Sequence, residues 1–360
     1  MKNKVFFLCI ALVLVTGLVF GGCAAPAPAL APAPAPAPTP TPAPEVINLR
    51  FSGPWPEPSP NFRNLYKPIM DEIEEKSNGR IKFTYFGPGV LGGNREQYDI
   101  ARTGKADLVT ISTGYTPGRF PMSDVFTLPL GYPTTVETMD AVLAVCDRIV
   151  YKDFPDTHPV TYYQSQHFYL YTNKKVRTLE DFKGLKTRVS GGVIVHSVEV
   201  LGGTPVQMGL PDVYLATQTG VVDAGIYGPS GLLAFKLQEV VKHEVKINLG
   251  HTLQLITFNL DTWKKIPNDL KSLITTVARK AGGYEVGLLI HDEAPVTEML
   301  IERGGTSYTL PPREEGRWVR ALKPVVNDLL ADLEDRGLPS QELLNIVREE
   351  MLKREQPFPF

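Results

Sequence analysis

The chain has 360 residues, 43% hydrophobic and 21% charged, a globular composition too long for one small domain and incompatible with wholesale disorder. Its 37 basic and 39 acidic residues give a formal charge of −2, so no large cationic field is available to hold a polyanion, and nucleic-acid binding is not expected. The three cysteines, Cys9, Cys23 and Cys146, cannot build a disulfide framework and match no zinc spacing, so stability has to come from a packed core.

Lys2 and Lys4 precede a nearly all-apolar run of 16 residues, 5–20. A bilayer core needs about 20, so residues 1–22 read as a secretory signal rather than a spanning helix. Cys23 directly after Gly21 and Gly22 resembles the lipobox of bacterial lipoproteins, which implies that its sulfur is diacylated and that it becomes the new N-terminus. A plain secretory signal cut near Ala25 is the other reading of the same residues. Residues 24–44 contain nine Pro and nine Ala among 21, a composition that cannot pack a core. It favours polyproline II at about 3.1 Å per residue, a tether of about 65 Å. The folded part is therefore expected from residue 45 onward, outside the cytoplasm, in the periplasm or at the cell surface, and held to a membrane by an N-terminal lipid.

In chain order, residues 47–52 read as a short strand and 61–76 as a helix through Leu65, Ile69 and Ile73, stopped by Ser77-Asn-Gly79. Residues 81–86 alternate as a strand, 95–103 form a helix ended by Gly104, and 106–112 are again a strand. A second unit of the same kind has strands at 168–173, 185–190 and 221–226, a capping box at Thr178-Leu-Glu-Asp181, and helices at 195–201 and 211–219. Two α/β units with short loops follow, their ligands expected at the carboxyl ends of the strands. Helical spacing over residues 268–303, with Gly282-Gly283 as its expected kink, predicts a helix long enough to bridge two domains.

Most motifs that could carry chemistry lack their second half. Gly87-Pro-Gly89-Val-Leu-Gly92 fits G-x-G-x-x-G, but Pro88 removes an amide from the phosphate cradle, and a flexible turn is the better reading. Gly228-Pro-Ser230-Gly231 is not the G-x-S-x-G nucleophile elbow. The six histidines are scattered with no H-E-x-x-H, so no metal site is expected, nor any cofactor. Cys146 shares helical spacing with Met139, Val142, Ile149 and Val150 and reads as a small core residue.

Arg188 is the informative charge. Alternation sends Lys186, Arg188 and Ser190 to one face of their strand, just before Gly191-Gly192. Composition alone makes Arg188 a solvated surface residue. A guanidinium at the carboxyl end of an inner strand, however, offers a planar fork that matches a carboxylate bidentately. The residues themselves leave the choice open.

A wider pattern bears on it. The run Leu179-Glu-Asp-Phe-Lys-Gly184-Leu-Lys-Thr-Arg188-Val is followed by Gly203-Thr-Pro205-Val-Gln-Met208 and by Val213-Tyr-Leu-Ala-Thr-Gln218-Thr-Gly220-Val-Val-Asp223. Before it come Lys76-Ser-Asn-Gly79-Arg80-Ile, Gly89-Val-Leu91-Gly92-Gly93 and Gly104-Lys-Ala-Asp107, and after it residues 259–267 with Trp263. In order and spacing, over residues 48–305, this resembles the DctP-like solute-binding proteins of tripartite ATP-independent periplasmic (TRAP) transporters.

The resemblance implies an α/β, two-lobed, periplasmic-binding-protein-like fold with a long helix bridging the lobes. Lobe I is expected from residues 45–165 and 253–290, lobe II from 166–252 and 291–360. The implied function is closure on a small organic acid and its delivery to the transporter's membrane subunits, without catalysis. Arg188 aligns with the arginine that pairs with the ligand carboxylate. Where sialic-acid-type members carry a further arginine, this chain has Phe168 and Tyr169, and Tyr227 stands where many members have Asn. With Trp55 and Tyr115, these aromatics fall at or near strand ends. Singly each reads as core packing; together they make a partly apolar cleft plausible. The competing readings are an extracytoplasmic hydrolase or oxidoreductase using Ser230 or the glycine loop, and a surface adhesin, for which the stalk alone would suffice.

Overall fold

The structure is a computed structural model and describes residues 45–129 and 135–356. The signal, the Cys23 lipid and the tether lie outside the described residues.

Two sheets carry the fold. The first has the order β2-β1-β3-β10-β4, built from β1 (Ile47–Ser52), β2 (Ile81–Phe86), β3 (Leu108–Ser112), β4 (Thr157–Gln164) and β10 (Leu253–Asn259). Its first three strands are parallel and β10 runs against both β3 and β4. The second, of order β11-β9-β5-β8-β6-β7, uses β5 (Tyr169–Thr172), β6 (Lys186–Val189), β7 (Thr204–Gln207), β8 (Ala224–Tyr227), β9 (His243–Lys246) and β11 (Thr306–Thr309). Here β8, β6 and β7 are mutually parallel and β5 is antiparallel to β8 and β9. Each sheet is the base of one lobe.

Helices cover the faces, as hydrophobic strands buried on both sides require. In the first half they are α1 (Lys67–Lys76), α2 (Gln97–Arg102), α3 (Val136–Arg148), α4 (Leu179–Phe182), α5 (Val193–Val200) and α6 (Leu210–Gln218). Then follow α7 (Pro229–Ala234), α8 (Leu260–Lys265), α9 (Asn268–Ala278), α10 (Ala281–Glu302), α11 (Pro312–Asp335) and α12 (Ser340–Leu352). Cys146 sits fully buried on α3 in the largest apolar core, the role its spacing predicts.

The chain crosses between lobes where β4 passes into β5 and where β9 returns to β10. These crossings are laced to each other: Ser165 N–H donates to the Thr252 carbonyl (2.9 Å), Phe168 N–H to Gly250 (3.0 Å) and Leu249 N–H back to Phe168 (3.0 Å). The bridging helix is α10. Its Ala281, Val286 and Leu288 pack into the first lobe's core, while Val296 and Leu300 join the cluster of the second. The helical run breaks at Arg279-Lys280, between α9 and α10, rather than kinking at Gly282-Gly283. Gly282 stays helical because it lets α10 approach Met139 of α3, whose Cβ lies 2.7 Å from where a Gly282 Cβ would stand.

The C-terminal helices escape periodicity-based reading of the lobes. Helix α11 packs on α5 and α4, with Trp318 against Phe182 (ring centroids 5.3 Å). Helix α12, grouped with lobe II in the sequence reading, rests on α3 on the first lobe's side, where Arg148 bonds Glu349 (2.9 Å) and Glu350 (2.6 Å).

Candidate functional site

A cavity of ≈ 50 Å³ lies between the lobes and is lined by Trp55, Tyr115, Phe168, Arg188 and Tyr227. Its walls also include Asn61, Ser190, Leu210, Ser230, Phe235, Gln254 and Glu285. Five of the six cleft residues expected from the sequence therefore meet around one void. Tyr169 does not: alternation along β5 turns it away from Phe168, and its hydroxyl donates to Glu293 (3.4 Å) on α10.

Arg188 is 1% exposed, whereas Lys186 on the same predicted face is open to solvent. The carboxyl end of β6 is covered by the opposite lobe, which alternation within one strand cannot register. Nε and Nη2 both donate to the Met208 carbonyl (3.0 and 2.8 Å), and Nη1 donates to Ile226 (3.1 Å). Nη2 also reaches the Tyr115 hydroxyl across the cleft (3.2 Å). These acceptors orient the fork but are neutral, and among the described residues no carboxylate pairs with it. A buried cation without a counter-ion is costly. This arrangement invites an anion.

Two hydroxyls beside it are also unpartnered, Tyr227 Oη and Ser190 Oγ. The Tyr227 ring lies flat on Tyr171 (centroids 4.9 Å, 8° between planes). Burial raises its phenol well above the usual range, so it stays a neutral donor despite the opposing pull of Arg188. On the other wall, half-buried Trp55 lies 6.0 Å from Phe235 of lobe II. The Trp55 carbonyl accepts from Tyr85 Oη (2.8 Å).

The hinge contributes a polar chain invisible to periodicity. Gln166, on the first crossing, donates to Ser230 Oγ (2.6 Å) and accepts from Ser230 N–H (3.1 Å), while Ser230 Oγ donates to Asp292 of α10 (2.6 Å). The other Asp292 oxygen meets His291 Nδ1 (2.7 Å). Ser230 thus bonds a carboxylate rather than an imidazole, unlike the Ser–His pairing of a nucleophile elbow. Glu285 accepts from Gln166 N–H (3.2 Å); burial, with the charge of Asp292, pushes its carboxyl up to about 8. A lone Glu beside apolar neighbours on a long helix was the available signal for Glu285. Asn61 had none beyond its place after a proline-rich loop.

Two sheet-based lobes, two crossing segments, a helix spanning both and a closed interlobe cavity define a solute-binding protein. Residues 51–332 match the DctP family, bacterial extracellular solute-binding protein family 7, and the chain belongs to that family. It is a TRAP-type solute-binding receptor. Among relatives, the C4-dicarboxylate-binding periplasmic protein of Rhodobacter capsulatus is 23% identical over 310 residues, 79% of this chain and 87% of that one. A TRAP solute-binding protein from Rhodoferax ferrireducens, solved with copurified benzoate, superposes with a TM-score of 0.82 at 24% identity, covering 86% of this chain and 99% of that one. A marine-metagenome TRAP solute-binding protein specific for aromatic acid ligands, solved with 3-hydroxybenzoate, gives 0.80 at 27% identity and the same coverage. Among the described residues no helix is long and apolar enough to cross a membrane.

Proposed function

We propose that this receptor captures a small organic acid with an apolar, ring-sized body, and passes it to the membrane subunits of a TRAP transporter without chemical change. The observation that carries the reading is Arg188, a buried guanidinium with neutral acceptors and, among the described residues, no counter-ion, facing an interlobe cavity. Trp55, Tyr115, Phe168, Leu210, Tyr227 and Phe235 supply apolar walls, which suit a ring better than a polyhydroxylated chain. The relative specific for aromatic acids supports the same ligand class. Residues 45–165 with 253–290 act as one lobe and 166–252 with 291–360 as the other, a division the two sheets support, with α12 tying back to the first.

Titration calorimetry of the purified protein against a panel of aliphatic and aromatic acids tests this. A saturable aromatic or similarly apolar monocarboxylate with no product formed is the expected result, and indifference to every acid in the panel overturns it. The same reading has Cys23 lipidated and the Pro/Ala segment acting as spacer. Cys23→Ser should then abolish fatty-acid labelling and leave unprocessed precursor.

A further inference from the structure

Asn61 is a polar group in the cavity that the carboxylate reading leaves unused. It is 3% exposed, it lines the cavity, and its Oδ1 has no hydrogen-bond partner among the described residues. An Asn at a helix start ordinarily caps the first turn with its side chain. Here that duty belongs to Ser59, whose Oγ accepts from Phe62 N–H (3.2 Å) and whose carbonyl accepts from Arg63 N–H (3.1 Å). Asn61 makes no capping bond. Its amide is held in the wall with no task in the fold, and leaving a buried polar group unmet is costly.

The chemistry of the unmet atom restricts what can meet it. An amide oxygen only accepts, so it repels a carboxylate and requires an O–H or N–H. The Arg188 fork, Tyr227 Oη and Ser190 Oγ, which can donate to a carboxylate, stand together on lobe II and set the carboxylate end of the cavity. Asn61 belongs to lobe I, before the turn that leads into α1. An ammonium donor is disfavoured because Arg188 contributes a positive charge. The acid in the cavity lining, Glu285, is also kept largely protonated at neutral pH by its burial. A neutral O–H or N–H donor remains, and on the apolar ring proposed above the simplest such group is a hydroxyl.

We infer that Asn61 is a specificity residue that accepts a hydrogen bond from a hydroxyl on the apolar body of the bound acid, making this a receptor for hydroxy-substituted aromatic acids over their unsubstituted parents. The inference rests on the proposed capture of an apolar acid by Arg188. A pocket built to bond a hydroxyl discriminates strongly against the analogue lacking it, because its own polar atom is then stranded.

The test is calorimetry of the purified receptor with benzoate, 3-hydroxybenzoate and 4-hydroxybenzoate, repeated on Asn61→Leu. In the parent, at least one hydroxybenzoate should bind about tenfold or more tighter than benzoate. Asn61→Leu should bring that acid down to the level of benzoate, leave benzoate within about threefold, and leave the ligand-free Tm unchanged or raised, since a stranded polar atom is removed. Equal binding of all three acids by the parent overturns the assignment while leaving the apolar-acid reading intact. So does an Asn61→Leu protein that weakens all three alike, or one that fails to fold, since either makes the amide structural. Binding of none of the three by the parent overturns the aromatic-acid reading itself, and the assignment with it.

Discussion

Arg188 and Glu285 line the same cavity with opposite electrostatic histories. Carbonyls of Met208 and Ile226 orient the buried Arg188 fork, and on the proposed reading the ligand carboxylate is its partner. Arg188→Ala should cost ligand binding about 2 to 5 kcal/mol, roughly 30-fold to several thousand-fold in affinity, by calorimetry. It should also lower stability, since the Met208 and Ile226 carbonyls lose a donor; a solvated position on a polar strand face would have carried no such penalty. Arg188→Lys keeps charge without the planar fork and should bind at an intermediate level. Glu285 instead sheds its charge: an ordinary glutamate titrates near 4.5, and here the carboxyl is pushed up to about 8 by burial. Between those values the folded state holds more protons than the unfolded one, so this group makes stability fall as pH rises. Asp124, pushed up to about 7 by burial and by the charge of Asp153, acts in the same direction. Glu285→Gln should flatten the decline between about pH 4.5 and 8, most visibly as a raised Tm at pH 8. Equal Tm-versus-pH slopes in the two proteins would count against it.

At the level of elements, the turn between β6 and α5 decides how closely the lobes meet. Gly191 has φ +137°, and a Cβ there would lie 2.1 Å from Gln207 Nε2 and 2.7 Å from the Gly114 carbonyl of the other lobe. A glutamine end can swing away, but a backbone carbonyl cannot. Gly191→Ala should therefore strain the turn and hold the lobes apart, a cost of order 1–3 kcal/mol. Ligand affinity should fall about tenfold or more. Unchanged affinity by calorimetry would mean that the lobes close without this approach. The chain from Gln166 through Ser230 to Asp292 joins the crossing segment, α7 and α10, so the bridging helix is bonded to the hinge as well as packed on it.

For the molecule as a whole, the contacts across the cleft describe a closed form. Tyr115 bonds Arg188, Trp55 meets Phe235, and Gly114 lies against the Ser190-Gly191 turn. The crossings and α10 bridge the lobes, and opening about them would break few backbone bonds outside the cleft. Ligand saturation should reduce the radius of gyration in small-angle scattering, because the bound acid stabilises closure through contacts to both walls. Arg188→Ala at the same ligand concentration should not compact. A radius unmoved by a ligand of proven affinity would argue for a rigid cleft.

Local features of the fold were legible from residues alone. Alternation and helix-stop signals located six strands to within three residues, and the helices between them, the first of which opens with a π-helical stretch, Phe62–Tyr66, ahead of α1, because those patterns depend on neighbours along the chain. Cys146 could be assigned to the core for the same reason. The motif series around Arg188 indicated the family. What the sequence could not contain was distance between segments: that β6 ends under the opposite lobe and buries Arg188, that Tyr169 turns toward Glu293, and that α12 returns to α3. Glu285, Ser230 and Gln166 come from three separate stretches and meet only where α10 passes the hinge. Asn61 looks like an ordinary helix cap until Ser59 is seen to occupy that role. Local pattern reports which face of an element is apolar, whereas a binding site depends on what closes over that face. Only the packing of one lobe against the other decides that.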